Sequence, residues 1–322
     1  MQRPGTRLMA NGGYRLRRGS FVRAIQIDRC GGPEVLRIQD VVEPRAAVGE
    51  VLIRVVATSI NPVDDKTRSG AIGAGTPPLP TTLGWDLAGI VLDGGTSGLE
   101  MGARVIAMSR HLDTGRGTWA DLVALPAGSV ARAPESVSLV EASTLPLPGL
   151  TALQTLDWLA LTPGERLLVA GAGGAVGGLA LQLAVARGVM VDALVARDTH
   201  LDFAKHHGAD IATTEPAALT DRQYDAVFDT FGAFVTDAVA DGGRYASVAT
   251  QAGPVPDLSA RGIRTTVNQV REDGAGLSEL AAYVDQGAVS PRVDSTFGLH
   301  DIQLAHHRFG QGGLEGKVTV TF

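Results

Sequence analysis

Residues 166–178 read RLLVAGAGGAVGG and predict the fold of half of this 322-residue chain. The first five residues form an apolar strand, and an apolar helical pattern runs from Ala175 to Arg187. Between them lies a glycine-rich turn, where the backbone can bend sharply and approach an anion without a Cβ in the way. A strand, a glycine turn and a helix in this order are typical of a dinucleotide-binding domain.

The spacing of these glycines departs from the common G-x-G-x-x-G pattern, because Val176 stands where the last glycine would fall. It fits a [GA]-x-x-G-x-x-G spacing instead. A purely structural loop is the alternative, and the flanking strand and helix argue against it. The residues that we expect to bind a dinucleotide here are Gly171, Gly173, Gly174, Ala175, Val176 and Gly177.

The next strand, MVDALV at residues 190–195, indicates which dinucleotide binds. An acidic residue at its end would bind the 2′-hydroxyl of NAD, whereas a guanidinium pairs bidentately with a 2′-phosphate. No acid stands at the strand end, and Arg197 follows it. We therefore expect NADPH as the cofactor. The alternative is that Arg197 is a solvated loop charge paired with Asp198.

Two sequence patterns divide the chain. Residues 22–143 contain short β-branched runs separated by Gly, Pro and Asp, which predicts a barrel-like β domain. Residues 144–288 alternate strands with helices, which predicts a doubly wound parallel sheet and so an α/β two-domain protein. Residues 289–322 end in a strand that we expect to return to the first domain, and residues 1–21 are expected to be a disordered basic tail.

A local interruption is expected where the alternating half begins. A helical pattern extends from Val140 to Ala160, but residues 145–149 read LPLPG. Proline lacks the backbone N–H that a helix interior needs. We therefore predict that this segment interrupts the helix.

Composition excludes several classes of protein. With 44% hydrophobic and 19% charged residues and no run of 18 uncharged apolar residues, a globular chain without a membrane span is expected. The first twenty residues carry five arginines and no acid, so the rest has a net charge of −11, which argues against nucleic acid as a partner. A single cysteine, Cys30, forbids an intrachain disulfide and favours a cytoplasmic location.

Five stretches between residue 22 and the closing Gly316-Lys317-Val318 resemble the quinone oxidoreductase (zeta-crystallin-like) branch of the medium-chain dehydrogenase/reductase superfamily. They are CGGPEVL at 30–36, NPVDDKTRSG at 61–70, LGWDLAG at 83–89, LP at 145–146 with GLTA at 149–152, and the glycine turn. The resemblance implies a GroES-like, β-rich substrate domain in residues 22–143 and 289–322, and a Rossmann NADPH-binding domain in residues 144–288. It also implies an active-site cleft between them and a homodimer.

The resemblance further implies chemistry without a metal. Zinc-dependent relatives have a cysteine at the position of Asn61 and Gly-His-Glu where this chain reads Gly84-Trp85-Asp86. Without that thiolate and imidazole we expect no catalytic zinc. Substrates that accept hydride without a Lewis acid, namely quinones and α,β-unsaturated carbonyls, then become the expected class.

Histidines elsewhere in the chain do not restore a metal site. None of the seven lies in an H-E-x-x-H motif. The adjacent pairs at residues 206–207 and 306–307 do not share a helix face, so we expect surface imidazoles there.

Single residues take roles from the resemblance. Asn61 is expected to donate its amide to the negative charge that develops on the substrate oxygen; the alternative is a turn-forming residue before a proline. Thr151 is expected to bind the nicotinamide carboxamide, with helix packing as its alternative. Lys317 is expected to reach a cofactor phosphate, with an exposed strand charge as its alternative. Asp64 and Lys66 are expected to be structural charges of a polar loop, with a catalytic role as the alternative.

Thr230 and Phe231 follow the strand that ends at Asp229. Because ligands of such sheets bind beyond the carboxyl ends of the strands, we expect both residues to line the cofactor groove.

These inferences describe an NADPH-dependent, zinc-independent reductase that transfers hydride to a quinone or an enone. The alternative is a non-catalytic nucleotide-binding or redox-sensor protein on the same fold. Its support is Ile72, which stands where some family members have a tyrosine. Without that phenol, solvent is the expected source of the substrate proton.

Overall fold

The computed structural model describes residues 20–220 and 223–322. Residues 1–19 of the predicted basic tail lie outside this part of the chain, and Phe21 begins the first strand. None of the helices in the described ranges has both the length and the apolar character needed to cross a bilayer.

The first half of the chain is β-rich. Its strands are β1 (Phe21–Ile27), β2 (Arg37–Val42), β3 (Glu50–Ser59), β4 (Thr81–Thr82), β5 (Asp86–Asp93), β6 (Arg104–Met108), β7 (Leu122–Pro126) and β8 (Val130–Arg132). The helices of this half are α1 (Pro62–Ser69) and the single turn α2 (His111–Thr114). β1 pairs antiparallel with β2 and β4, and β3 pairs antiparallel with both β5 and β7.

The second half contains a six-stranded sheet. Its strands are β9 (Arg166–Ala170), β10 (Met190–Leu194), β11 (Ala209–Thr213), β12 (Tyr224–Asp229), β13 (Val239–Ser247) and β14 (Arg264–Val267). All pairings in it are parallel, in the order β11-β10-β9-β12-β13-β14. This is the doubly wound order of a Rossmann domain, so the predicted fold class is confirmed.

Six helices accompany these strands and the end of the described chain. They are α3 (Leu139–Ala142), α4 (Pro146–Leu159), α5 (Ala175–Ala186), α6 (Leu201–His206), α7 (Gly274–Asp285) and α8 (Ile302–Gly310). Buried leucines, valines and alanines of α4, α5, β9 and β10 form one continuous core against the sheet. That core fixes the start of α5, and therefore the glycine turn, relative to the strand ends.

The start of α4 corrects one prediction. We expected LPLPG at residues 145–149 to interrupt a helix. The helical pattern is interrupted, but at residues 143–145, because α3 ends at Ala142 and α4 begins at Pro146 and includes the rest of the segment. A proline in the first turn lacks only an N–H that would have no partner inside the helix. Gly149 is needed for a different reason: a Cβ there would lie 2.1 Å from Cδ2 of Leu280, so α7 packs closely against this turn.

The last two strands are β15 (Val293–Gly298) and β16 (Lys317–Thr321). β16 pairs antiparallel with β3, with Thr319 opposite Ser59, and β15 pairs with β16. The sheet therefore runs β15-β16-β3-β5-β6-β8, with β7 attached to β3. Lys317 at the beginning of β16 consequently lies near the end of β3 and the start of α1.

Candidate active site

Three glycines of the turn between β9 and α5 have no room for a Cβ. Gly171 has a φ of +92°, and a Cβ on it would lie 2.2 Å from Oγ1 of Thr230. A Cβ on Gly173 would lie 2.1 Å from Nδ1 of His200, and one on Gly177 would lie 2.2 Å from the Gly171 carbonyl oxygen. Glycine at these positions lets β9, α5 and the neighbouring loops approach one another closely.

A cleft of about 440 Å³ opens along this turn. The predicted site residues that line it are Asn61, Gly171, Gly173, Gly174, Ala175, Val176, Arg197, Thr230, Phe231 and Lys317. Thr151 and Gly177 do not line it. The turn and the first residues of α5 form one wall, and residues from α1 and β16 form part of the other. Backbone N–H groups at the start of a helix bind anions, so this wall suits a phosphate group.

Asp229 organises the loop after β12. Its fully buried carboxylate accepts hydrogen bonds at Oδ1 from the N–H groups of Phe231 (3.1 Å) and Gly232 (2.8 Å), and at Oδ2 from that of Phe234 (3.0 Å). The hydroxyl of Tyr245 donates to Oδ2 at 2.6 Å, and burial together with this carboxylate raises the pKa of that phenol. The carboxylate therefore fixes the loop that carries Phe231 into the cleft.

Arg197 spans the cleft at the carboxyl end of β10. Its Nη2 lies 3.1 Å from Nε2 of His200 and donates to the carbonyl of Leu314 at 3.3 Å. Asp198 instead accepts a hydrogen bond from Thr214 at 3.3 Å. Burial, followed by the charges of Arg197 and Arg292, lowers the pKa of His200. This cationic corner is a suitable environment for an anion.

Sequence reasoning missed Arg292. Its Nη2 donates to the carbonyl oxygen of Gly173 at 2.7 Å, and its guanidinium carbon lies 3.6 Å from the centroid of the Phe203 ring. Burial lowers its pKa to about 10. The side chain thus braces the glycine turn from behind. Its partners lie far away in the chain, so no local sequence pattern indicates this role.

Asn61, Asp86 and Lys317 form a buried cluster at the cleft. Nδ2 of Asn61 donates to Oδ2 of Asp86 at 2.7 Å, and the ammonium of Lys317 donates to Oδ1 of Asn61. Nζ of Lys317 also lies 3.4 Å from Oδ2 of Asp86. The Lys317 side chain is only 7% exposed, so the alternative of an exposed strand charge is wrong.

Asp86 receives further hydrogen bonds from two other segments. The Ser59 hydroxyl donates to its Oδ2 and the Leu147 backbone N–H donates to its Oδ1, each at 2.7 Å. Leu147 lies in the first turn of α4, where the helix dipole favours a negative charge. One carboxylate therefore joins β3, α1, α4 and β16 at the site.

Asp64 does not lie in a polar loop, as we had expected, but is fully buried in α1. Its Oδ2 accepts the backbone N–H of Asn61 at 2.8 Å, while its Oδ1 has no hydrogen-bond partner among the described residues. Burial raises the pKa of Asp64 to about 8. The carboxyl group is therefore largely protonated at neutral pH.

Thr151 lies in the second turn of α4. Its hydroxyl donates to the Leu147 carbonyl at 2.7 Å, and the residue is buried. Its expected contact with the nicotinamide carboxamide stays a prediction.

The imidazole of His306 corrects another expectation. We expected a surface position, but His306 is buried, with its ring centroid 5.4 Å from that of Trp119 and its Nδ1 3.7 Å from Asp65. Within the part of the chain that the structure describes, no group of three or more His, Cys, Asp or Glu side chains is arranged to hold a metal ion.

Comparison with known proteins agrees with this architecture. A family model described as "Alcohol dehydrogenase GroES-like domain" matches residues 47–135, and one described as "Zinc-binding dehydrogenase" matches residues 195–320. A 2-methylene-furan-3-one reductase of Solanum lycopersicum is 32% identical over 304 residues, which cover 90% of this chain and 76% of the relative.

Two further comparisons point the same way. An NADPH-dependent alkenal/one oxidoreductase, described as chloroplastic, of Arabidopsis thaliana is 31% identical over 305 residues, or 90% of this chain and 77% of that protein. The solved structure of a quinone oxidoreductase from Coxiella burnetii has a TM-score of 0.82 at 27% identity and covers 94% of this chain and 100% of that one. The sequence prediction is confirmed: this chain belongs to the medium-chain dehydrogenase/reductase superfamily.

Proposed function

We propose that this chain is an NADPH-dependent, zinc-independent reductase that transfers hydride to a quinone or an α,β-unsaturated carbonyl. The observation that carries the proposal is the cleft, where a glycine turn built for a phosphate faces the buried Asn61–Asp86–Lys317 cluster. The similar proteins named above are reductases of conjugated carbonyls and a quinone oxidoreductase, which supports the same substrate class.

The residues of the turn fit a dinucleotide. Gly171, Gly173 and Gly174 line the cleft and carry no side chain, so their backbone can approach a pyrophosphate. In this proposal the first turn of α5 holds the pyrophosphate, and Arg197 holds the adenosine 2′-phosphate with His200 beside it. When bound, NADPH supplies a hydride from its nicotinamide ring. The choice of NADPH over NADH rests on Arg197.

On the opposite wall, Asn61 binds the substrate oxygen in this proposal. Its amide group has two N–H bonds, of which one is directed to Asp86. The other is available for an oxygen on which negative charge develops. A conjugated acceptor spreads that charge over several atoms. It therefore needs less help from the protein than a saturated ketone.

The same proposal assigns a binding function to each part of the chain. Residues 22–143 and 289–322 bind the substrate, and residues 144–288 bind the cofactor. We also infer a homodimer formed through the edge of the six-stranded sheet, where Val267 of β14 is 44% exposed. A cytoplasmic location is supported by the single cysteine, Cys30, which is free.

The test is a panel of quinones, enones, saturated ketones and alcohols, with turnover followed by the loss or gain of NADPH absorbance. We expect oxidation of NADPH by quinones or enones, undiminished after incubation with a strong chelator. Cofactor binding is measured separately by calorimetry. Tight NADPH binding without turnover of any acceptor would favour the nucleotide-binding or redox-sensor alternative, and turnover that a chelator abolishes would favour a zinc enzyme.

A further inference from the structure

Lys317 differs from the other two lysines of the chain. Lys205 is exposed and Lys66 is half-buried, whereas the Lys317 side chain is 7% exposed and lines the cleft. A charged ammonium is rarely buried without specific partners. Its partners here are Oδ1 of Asn61 and Oδ2 of Asp86.

The hydrogen bonds of this ammonium leave one proton for a ligand. A lysine ammonium has three N–H donors, and two of them are directed to Asn61 and Asp86. The third has no partner among the described residues. Because Nζ belongs to a residue on the cleft wall, a substrate bound there can accept that third hydrogen bond.

The charged groups around Lys317 stabilise its ammonium form only in part, so the proton can still be transferred. Asp86 on β5 is the near carboxylate, at 3.4 Å, and it is shared with Ser59, Asn61 and the start of α4. Asp64 on α1 also acts on Lys317, but its carboxyl is largely protonated below pH of about 8.

The guanidinium of a neighbouring residue, Arg292, points away from Lys317. Arg292, whose carbonyl accepts the Lys317 backbone N–H at 2.9 Å, directs its guanidinium to Gly173 and Phe203. Burial lowers the pKa of Lys317, and the nearby aspartates oppose this shift. Lys317 therefore holds its proton less tightly than an exposed lysine does.

From this geometry we propose that Lys317 is the catalytic proton donor of the proposed reduction, that Asp86 is its positioning residue, and that Asn61 contacts both Lys317 and the substrate oxygen. The inference rests on the proposed function. Asn61 cannot release a proton at neutral pH, because its amide is not an acid, and Ile72 carries no ionisable group. Lys317 is a titratable group on the cleft wall with an N–H that no described residue accepts.

The chemistry balances with NADPH as the reductant. Addition of hydride to the β-carbon of an enone forms a C–H bond and moves the electron pair of the C=C bond toward the carbonyl, which becomes an enolate oxygen. An N–H bond of Lys317 then breaks and an O–H bond forms on that oxygen. The enol tautomerises to the saturated ketone, and the neutral amine of Lys317 takes a proton from water. One hydride and one proton are consumed for each turnover.

Two substitutions separate proton donation from charge. In Lys317→Met both are lost, and we expect kcat to fall at least about 100-fold. Lys317→Arg keeps the charge, but a guanidinium does not release a proton near neutral pH. We therefore expect kcat to stay as low as in Lys317→Met, while the KM for the enone returns toward the wild-type value. Lys205→Met is the matched control and should behave as wild type. Calorimetry with NADPH and thermal unfolding check that each variant is folded.

The pH profile adds a second readout. Wild-type kcat should fall on the alkaline side as Lys317 loses its proton, and addition of small primary amines should partly restore activity to Lys317→Ala. The proposal is overturned if Lys317→Met keeps kcat within about threefold of wild type, or if Lys317→Arg restores it fully. A purely structural role would lower stability without changing the pH profile or allowing rescue by amines.

A binding experiment tests the same contact without turnover. Para-nitrophenol is offered to the protein, and its phenolate absorbance is recorded at a pH below its solution pKa. An ammonium in the cleft stabilises the bound phenolate, so the phenolate band should appear with wild type and Lys205→Met but not with Lys317→Met. Equal spectra for wild type and Lys317→Met, or no band with wild type, would count against Lys317.

The two failures can be told apart. If wild type oxidises NADPH with enones and Lys317→Met does so equally well, the inference about Lys317 fails and the proposed function stands. If no acceptor is reduced by wild type, the proposed function fails, and with it the role of Lys317 as a catalytic proton donor.

Discussion

The side-chain oxygen of Thr230 lies 2.2 Å from the point that a Cβ on Gly171 would occupy. The loop after β12 is therefore in contact with the bare backbone of the glycine turn. Gly164 provides a matched comparison, because its φ of +91° is close to the +92° of Gly171 but nothing lies within 4 Å of its would-be Cβ.

We expect Gly164→Ala to lower the free energy of unfolding by about 1–2 kcal/mol through backbone strain alone. Gly171→Ala should cost more and should weaken NADPH binding at least about tenfold, because Thr230 must move into the cleft. Chemical denaturation and calorimetry measure both effects. Equal behaviour of the two variants would mean that the close approach of Thr230 is unimportant.

Arg197→Glu should reverse the coenzyme preference. Loss of a guanidinium–phosphate contact is worth about 1.5–3 kcal/mol, so kcat/KM with NADPH should fall about 10- to 100-fold while that with NADH changes little. Arg29→Glu makes the same change of charge at an exposed position and is the control. An unaltered ratio of the two kcat/KM values would contradict the assignment.

Asp229→Asn should loosen the loop that bears Phe231. In wild type, backbone N–H groups of the loop donate to the Asp229 carboxylate, whereas in the variant they would face the N–H donors of an amide. We therefore expect a loss of about 3 kcal/mol in the free energy of unfolding and a higher KM for the cofactor. Tyr245→Phe removes a single hydrogen bond to the same carboxylate and should cost less. The interpretation is wrong if the two substitutions have the same effect on unfolding and on KM.

Asp64→Asn should change the pH dependence of stability. The pKa of Asp64 is about 8 in the folded protein and 3.8 ordinarily, so the folded state binds the extra proton between these values. The free energy of unfolding consequently falls as pH rises through this window, by at most about 1.4 kcal/mol per pH unit from this group. Asp64→Asn should remove that slope in denaturant titrations.

Asp65→Asn is the control of opposite sign. His306 and Arg68 lower the pKa of Asp65 to about 2, so its contribution is present above an ordinary value of 3.8 and is lost as pH falls toward 2. This substitution should remove the slope of the stability curve between about pH 4 and 2 and lower the stability by a constant amount above that range. A slope between pH 4 and 8 that survives in Asp64→Asn would show that another group titrates there.

Features that depend on neighbouring residues were predictable from the sequence. The alternation of strands and helices predicted a doubly wound parallel sheet, and the glycine spacing located the turn between β9 and α5. The polar side of the site was less predictable. Lys317 meets Asn61 across 256 residues and Asp86 across 231, so a short strand segment contains no sign that its first lysine is buried.

His306 illustrates the same limit. Adjacent helix residues differ in direction by about 100°, which correctly separates it from His307 but does not say which of the two faces the core. That choice depends on Trp119, which lies far earlier in the chain. Pro146 was misjudged for a local reason, because a proline that ends one helix is also well suited to begin the next.

The bond from the Leu147 backbone to Asp86 has a consequence for protein engineering. It joins the β-rich half to the first turn of α4. Chimeras that take residue 86 from one parent and the start of α4 from another therefore risk losing this contact between the two halves. Crossover points should therefore keep residue 86 and the start of α4 in one parental fragment.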